Sequence, residues 1–471
     1  MFHHSALKWL IVSAALLGPA QAQTETAAPP VPPTAPTVPT SAPAITPLSQ
    51  FFAPLQQYPS LVQARLALQA AQIQQNGADF PVSGSVSGGL SDILNADSLP
   101  AVCATSPLAL LTSPCAPVGG NTGTLNLAIR ATPYPVGDTA ARQQQAALAT
   151  EQAQLGYRSA VAALEAQALL AAQRETLSRS TVSLAQQVQA TAQLALQAAQ
   201  NRLQGGGATL TDVQQAQLVL AQAASGAAQA QENLALAQAT LKDLTGNADA
   251  PNLPAVLPPT NGLPVSVRHA QFGLRRAQIT QAQVSWNALP NVQASYTHYT
   301  SDTAGVGLSL DSRNLSPAVT FTYSPRPPPL NRVRDQVSLG INFDASASIL
   351  SAPELAQNAV NQAQAGIDAA RRQADLQLSA LNAALTQAQR GQQLAQQALS
   401  LAQQQQQNAL TRQDLGLSAP LDIAQAALTT YQAQLALNQA ELVVTDATTK
   451  FYSFFALPLD SADQKAASTQ P

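Results

Sequence analysis

The chain has 471 residues, 46% hydrophobic but only 4% aromatic, and a formal net charge of −3. Nothing in that near-neutral charge suggests a nucleic-acid binder. The dominance of Ala, Gln and Leu over large core residues points instead to long helices packed through narrow seams.

Residues 1–22 read as a signal peptide, with Lys8, an apolar run from Trp9 to Leu17, and small residues at Ala20 and Ala22. No Cys follows the apolar run to carry a lipid, and no later run is long enough for a transmembrane helix, so any membrane insertion must use strands. Residues 23–50 form a Pro-rich linker, an extended spacer between Thr24 and Pro47.

The first repeat is placed at 51–250. A helix from Tyr58 to Phe80 carries Leu61, Leu66, Leu68 and Ile73 on its apolar side and stops at Pro81. A strand with Val82, Gly84 and Val86 follows, then a polar segment from Ser91 to Asn121. The second strand sets Leu125, Leu127 and Ile129 against Asn126, Ala128 and Arg130. A very long helix runs from about Thr139 to Leu203, with Leu170, Leu177 and Leu184 at heptad spacing. Its return helix carries Val213, Leu220, Ala227, Leu234 and Leu241, and a Pro-rich connector occupies 251–264.

The plan then recurs in a second repeat at 265–459. A helix with Phe272, Leu274 and Ile279 stops near Pro290, and a strand places Val292, Ala294, Tyr296 and His298 on one face. Between Ser301 and Arg334 lies a polar, Pro-rich segment containing a possible extra strand, Ala318 to Tyr323. The next strand puts Val337, Leu339, Ile341 and Phe343 outward. A second long helix runs from about Pro353 to Leu410, and its return helix has Leu421, Leu428, Leu435 and Leu442 in register. A tail, 460–471, ends the chain.

Each long helix breaks at the same motif, R-x-x-x-G-x-x-x-x-x-D-[VI]-x-x-A. Arg202, Gly206, Asp212 and Ala216 are answered by Arg412, Gly416, Asp422 and Ala426. Gly ends the first helix and a polar residue caps the next, so each copy is the tip of a helical hairpin. The fold expected is therefore mainly α, with two coiled-coil hairpins and four amphipathic strands per chain. Four strands cannot close a barrel, and open edges are not tolerated in lipid. The chain must oligomerise, and three copies would give twelve strands and twelve helical strips.

Catalytic chemistry finds little footing. Past the signal only His269 and His298 remain, in no metal-ligand spacing, and the Gly205–Gly207 run lacks the Lys of a phosphate loop. The chain is read as a non-enzyme without cofactors. Cys103 and Cys115, the only cysteines, share one inter-strand segment of an exported chain and are expected to form a disulfide.

The two tip motifs, the long helices before them and the duplicated helix–strand–strand–helix plan resemble the outer-membrane efflux protein family, the TolC-like channels. The resemblance spans roughly Tyr58 to Leu459. It implies a homotrimer with a shared twelve-stranded barrel in outer-membrane lipid and a periplasmic helical tunnel. That assembly is the exit duct of an efflux pump or type I secretion system. The tunnel's tips would meet a periplasmic adaptor attached to an inner-membrane pump, and Arg202, Leu203, Gly206, Leu210, Asp212, Arg412, Gly416, Leu417 and Leu421 are the residues there. Leu203 departs from the family pattern, in which an aromatic commonly follows the Arg. The inter-strand segments are also unusually long. By the same resemblance Asp422 matches the first acidic residue of a pore gate, while Gln425 replaces the second. The alternative is a non-conducting coiled-coil spacer across the envelope, which would not need the amphipathic strands.

Overall fold

The computed structural model describes residues 45–80, 82–93, 120–132, 136–259, 261–301, 304–323, 334–342 and 347–459. The expected signal segment, most of the Pro-rich linker, Cys103, Cys115 and the tail at 460–471 lie outside the described residues. So does Phe343.

Helix α1 (Leu48–Phe52) and a 3₁₀ turn (Ala53–Gln57) precede α2 (Pro59–Asp79). The end of the segment assigned to the linker is thus folded, because Leu48 is buried with Phe51, Phe52 and Leu55 in the largest core cluster. Helix α2 starts with Pro at its first position and stops at Phe80, whose extended backbone is what a following proline imposes. Strands β1 (Val82–Ile93) and β2 (Gly120–Ala131) follow, then α3 (Gly137–Gln204) and α4 (Leu210–Thr245). The second half has α5 (Val265–Asn287), β3 (Asn291–Ser301), β4 (Ala304–Asp311), β5 (Ser316–Tyr323), β6 (Asp335–Asn342), α6 (Ala347–Asp414) and α7 (Pro420–Phe455).

The duplication is close in the helices. Helices α3 and α6 each have 68 residues, and α4 and α7 each have 36. Gly137 to Ala347 and Thr245 to Phe455 are both steps of 210 positions. A 68-residue helix is about 100 Å long. Helix α6 begins six residues before the expected Pro353. The proline sits in its second turn, where it removes one backbone donor without ending the helix.

Helices α3 and α6 run past two shorter layers. Near its start α3 packs on α2, where Thr150 Oγ1 donates to the Ala71 carbonyl at 3.2 Å, and on α5, where Arg275 pairs with Glu151 at 2.6 Å. Near its end α3 packs on α4 and α7. Helix α6 does likewise with α5 and then α7. The neighbours are therefore α2–α3–α5–α6 in one layer and α4–α3–α7–α6 in the other. The expected seam on α4 is present: Val213, Ala227 and Leu241 are buried, with Leu220 and Leu234 half-buried between them. On α2 the apolar side is only partly covered by the chain itself. Leu61 and Ala71 are buried while Leu66 and Ile73 are exposed, because the small Ala71 is what lets α3 approach.

The main core forms a collar where the layers meet, joining α1, the 3₁₀ turn, mid-α3, the end of α4, Leu253 and Val256 of the connector, and Tyr452. Glu175, 1% exposed, lies in this collar. It accepts from Arg179 at 2.6 Å and from the Ala250 N–H at 3.4 Å, and Arg179 also reaches Asp249 at 2.8 Å. The Arg179 guanidinium is held above its ordinary pKa, chiefly by the Glu175 hydrogen bond.

The sheet is larger than the four strands expected. Among the described residues it has six, all antiparallel, in the order β1-β2-β5-β4-β3-β6. The possible strand at Ala318–Tyr323 is real and belongs to β5. Its hairpin partner β4 was not anticipated.

Candidate membrane wall and hairpin tips

Strict alternation gives the sheet two different faces. One row of directly paired residues reads Gly84, Ile129, Val319, Leu308, Tyr296, Val337, and the next reads Val86, Leu127, Phe321, Val306, His298, Asp335. Apart from the glycine, every member of the first row is a large apolar or aromatic residue left exposed by the chain itself. The row between them, on the opposite face, reads Ser85, Ala128, Thr320, Gly307, Thr297, Gln336. An exposed apolar face backed by a hydroxyl- and amide-rich one is the pattern of a wall between lipid and water.

Two features mark the ends of this wall. At one end Asp335 accepts from the Tyr296 hydroxyl at 2.7 Å and lies 2.7 Å from His298 Nδ1, tying β6 to β3 on the apolar face. His298 therefore has a structural partner. At the helical end the β4–β5 turn is fastened to α5 and β3: Trp286 Nε1 of α5 donates to the Arg313 carbonyl at 2.6 Å, and Ser312 Oγ accepts from the Val292 N–H of β3 at 2.8 Å. Gly137, φ +56°, opens α3 against the same turn, and a Cβ there would collide with Arg313 O and the Trp286 indole. Sequence reasoning missed this junction.

The tips explain the repeated motif residue by residue. The Arg202 carbonyl accepts from the Gly207 N–H at 2.8 Å and the Leu203 carbonyl from the Gly206 N–H at 3.1 Å. At the second tip Arg412 accepts from Leu417 at 2.8 Å and Gln413 from Gly416 at 2.7 Å. These are the paired bonds that close a helix around a left-handed residue, and Gly206 and Gly416 have φ of +76° and +71°. Arg202 and Arg412 stand in the last turn, where a cation meets the negative helix end. Six residues beyond each Gly, the Asp is the third residue of the next helix. Asp212 Oδ2 accepts from the Thr209 N–H at 2.8 Å while Thr209 Oγ1 accepts from the Asp212 N–H at 3.3 Å. Asp422 Oδ2 accepts from the Ala419 N–H at 3.0 Å, but Ala419 has no hydroxyl to reciprocate.

Around these turns Leu210 and Leu417 are well exposed, at 63% and 70%, and so is Leu415, which the sequence reading passed over. Leu203 is 36% exposed, and Leu421 is half-buried. Arg202, Arg412, Asp422 and Gln425 are all exposed. The hairpins touch each other through α3 and α7: Gln187 Nε2 donates to the Ala424 carbonyl at 3.5 Å, and Asn438 Nδ2 donates to Ser180 Oγ. Among the described residues no cluster of His, Cys, Asp or Glu could hold a metal, and no helix is long and apolar enough to cross a membrane.

No family model matches the chain and no curated protein matches it. Solved structures do. The outer membrane protein VceC from Vibrio cholerae aligns with a TM-score of 0.58 at 18% identity, covering 88% of this chain and 96% of that one. The CmeC outer membrane channel of Campylobacter jejuni gives 0.57 at 13%, covering 89% of each. The open MtrE outer membrane channel of Neisseria gonorrhoeae gives 0.56 at 15%, covering 88% and 89%. The fold is that of the TolC-like outer-membrane efflux channels. Within the TolC-like fold the six-stranded sheet supplies the β part and the two hairpins the helical part. The resemblance read from the tips is thus one of architecture at low identity.

Proposed function

We propose that this chain is the outer-membrane exit duct of an efflux or secretion machine, conducting solutes as a homotrimer. The observation that carries the reading is the sheet. Its one face is apolar and exposed, its other face is lined by small hydroxyl and amide side chains, and its edge strands β1 and β6 each pair on one side only. Lipid does not tolerate open edges, so β1 of one copy must meet β6 of another. The helices offer a matching pair of edges. Leu66 and Ile73 on α2 and Leu218 and Leu236 on α4 are exposed along one side, and Leu376, Leu394 and Leu401 on α6 along the other. A head-to-tail contact between two such edges closes into a ring.

The exposed leucines at the tips support an adaptor contact there, with the adaptor linking the duct to an inner-membrane pump. Asp422 would contribute one carboxylate per chain to a ring at the tunnel entrance, beside Gln425. Detergent-solubilised protein is expected to sediment as about three chains and to conduct in a planar bilayer; a stable, non-conducting monomer would refute the reading. Gly206→Val with Gly416→Val is expected to abolish pump-dependent export while leaving the trimer intact, since a β-branched residue resists the left-handed turn and nothing else lies near either Cβ. Unchanged export would remove the tips from the adaptor interface.

A further inference from the structure

We infer that the cavity where α2, β1, β2 and α3 meet binds an anionic group of phosphate type carried by a passing solute. This rests on the exit-duct reading and adds a substrate class to it.

The site begins with Arg130, the penultimate residue of β2. It stands on the polar face of the sheet, in the row Ser83, Arg130, Ala318, Ser309, Ser295, Ser338. Every other member of that row is serine or alanine, so the row offers the guanidinium no counter-charge, and the side chain is exposed. Arg142, in the second turn of α3, lines the same cavity. Its Nε donates to the Asp138 carbonyl at 3.4 Å and its Nη2 to Thr139 Oγ1 at 3.5 Å. Both bonds are long and stay within its own helix, leaving most of its N–H donors unused.

The cavity measures about 230 Å³, and Ser83, Thr132, Thr139 and Asn314 complete its polar lining. No acidic residue lines it, and among the described residues neither arginine forms an ion pair. Carboxylates on adjoining segments are engaged elsewhere. Asp138 accepts from Gln283 at 2.9 Å, and Asp311 accepts from Gln293 at 3.1 Å and from the Arg313 N–H at 2.8 Å.

Two guanidinium groups lining one cavity repel each other, and an anion between them reverses that cost. A phosphate has oxygens enough for two guanidinium forks, where a carboxylate satisfies one. The Oδ1 of Asn314 is buried with no donor among the described residues, and the hydroxyl of a hydrogen phosphate supplies one. The volume is below the ~300–1,000 Å³ of a drug-sized site, so the cavity takes a charged group and not a whole solute. Its place is the head of α3, about 100 Å of helix from the tips. The Asp422 carboxylates and these arginines therefore meet a solute at different stages.

Isothermal titration of the full-length, detergent-solubilised protein with inorganic phosphate tests the site without requiring conduction. Wild type is expected to bind about one phosphate per chain, with sulfate competing and chloride at equal ionic strength not. Arg130→Gln and Arg142→Gln should each weaken binding by about tenfold. Arg371→Gln, which removes an exposed arginine paired with Asp368 on α6, should not. Arg130→Lys with Arg142→Lys keeps both charges without the forks and should bind between wild type and the double glutamine variant. Unchanged phosphate binding in the double glutamine variant overturns the inference. So does a lysine variant that fails to assemble, which would make the arginines part of the joint itself. Short-chain phosphatidylglycerol is the lipid arm: its binding without any response to inorganic phosphate would give the site to a headgroup and overturn the solute. A protein that conducts in a planar bilayer yet binds no phosphate loses this inference and keeps the duct. One that binds phosphate without conducting overturns it through the duct reading instead.

Discussion

The Asp422 carboxylate accepts the backbone N–H of Ala419 at 3.0 Å, the same bond that Asp212 makes with Thr209 at 2.8 Å in the first hairpin. Only the Asp212–Thr209 bond has a hydroxyl to answer it. The Thr209 backbone N–H, and then its hydroxyl, hold the Asp212 carboxyl below the usual carboxylate range. A depressed pKa means that the cap contributes fully above the unfolded value of about 4 and is lost as pH falls through the folded value. The protection of amides 209–213, taken relative to intrinsic exchange at each pH, is therefore expected to fall on acidification below about pH 4. Asp212→Asn should remove that pH dependence, and an identical acid response in the variant would show that another group controls the turn.

Gly137 tests the joint between helix and sheet. A Cβ there would collide with Arg313 O and the Trp286 indole, and its φ of +56° is itself unfavourable for a side chain. Left-handed strain alone costs about 1–3 kcal/mol, to which the clash adds. Gly137→Ala is expected to lower the yield of membrane-inserted protein, whereas Gly156→Ala in the same helix, with open space around it, is not. Equal yields would mean that the β4–β5 turn does not depend on this contact.

How much was legible follows from how local each feature is. The tips could be read because a helix end is written in consecutive residues: Arg202 to Gly206 is the spacing of the closing turn, and Asp212 marks the next start. The repeat was legible because it returns at a fixed interval. Strand β4 was not. Gly305 and Gly307 weaken its propensity, and its place between β3 and β5 is decided by pairing that no short window contains. On α2, leucine spacing identifies the apolar side but not what covers each residue: Ala71 meets α3, while Leu66 and Ile73 stay exposed in the single chain. The Trp286–Arg313 bond joins residues 27 apart and leaves no signature in either segment.

In the collar, Arg179 is the principal counter-charge of Glu175. Its side chain is 52% exposed while that of Glu175 is 1% exposed, so solvent screens part of the interaction. Removing one partner of a fully buried pair costs about 3–5 kcal/mol; here about 1–3 kcal/mol is expected for Arg179→Met. Glu175→Gln with Arg179→Met should recover part of the loss, because the stranded buried charge goes too. Limited proteolysis within 246–264 reads the local loosening, and a double variant no more resistant than Arg179→Met would contradict the coupling.

Two adjacent positions on β5 separate the faces of the wall. Val319 lies on the apolar face and Thr320 on the polar one. An arginine facing lipid near the bilayer centre costs about 2–4 kcal/mol, and one facing an aqueous lumen costs far less. Val319→Arg is expected to reduce outer-membrane assembly several-fold, while Thr320→Arg should assemble and shift ion selectivity toward anions. Equal assembly of both variants would remove β5 from the lipid boundary.

The remaining prediction separates the two roles open to Asp422. As a cap it needs only an oxygen that accepts the Ala419 N–H, and an asparagine side chain supplies one. As a gate it needs its charge: three carboxylates around a narrow entrance repel one another and draw cations from solution. Gln425, one turn on, adds no charge of its own. On the proposed exit-duct reading the wild-type protein is therefore expected to prefer cations and to be blocked by trivalent cations, with Asp422→Asn losing both properties while exchange at residues 419–423 stays unchanged. Asp422→Ala should lose selectivity and cap together. If cation preference and trivalent block survive Asp422→Asn, the carboxylate serves the start of α7 alone and the preference arises from other residues.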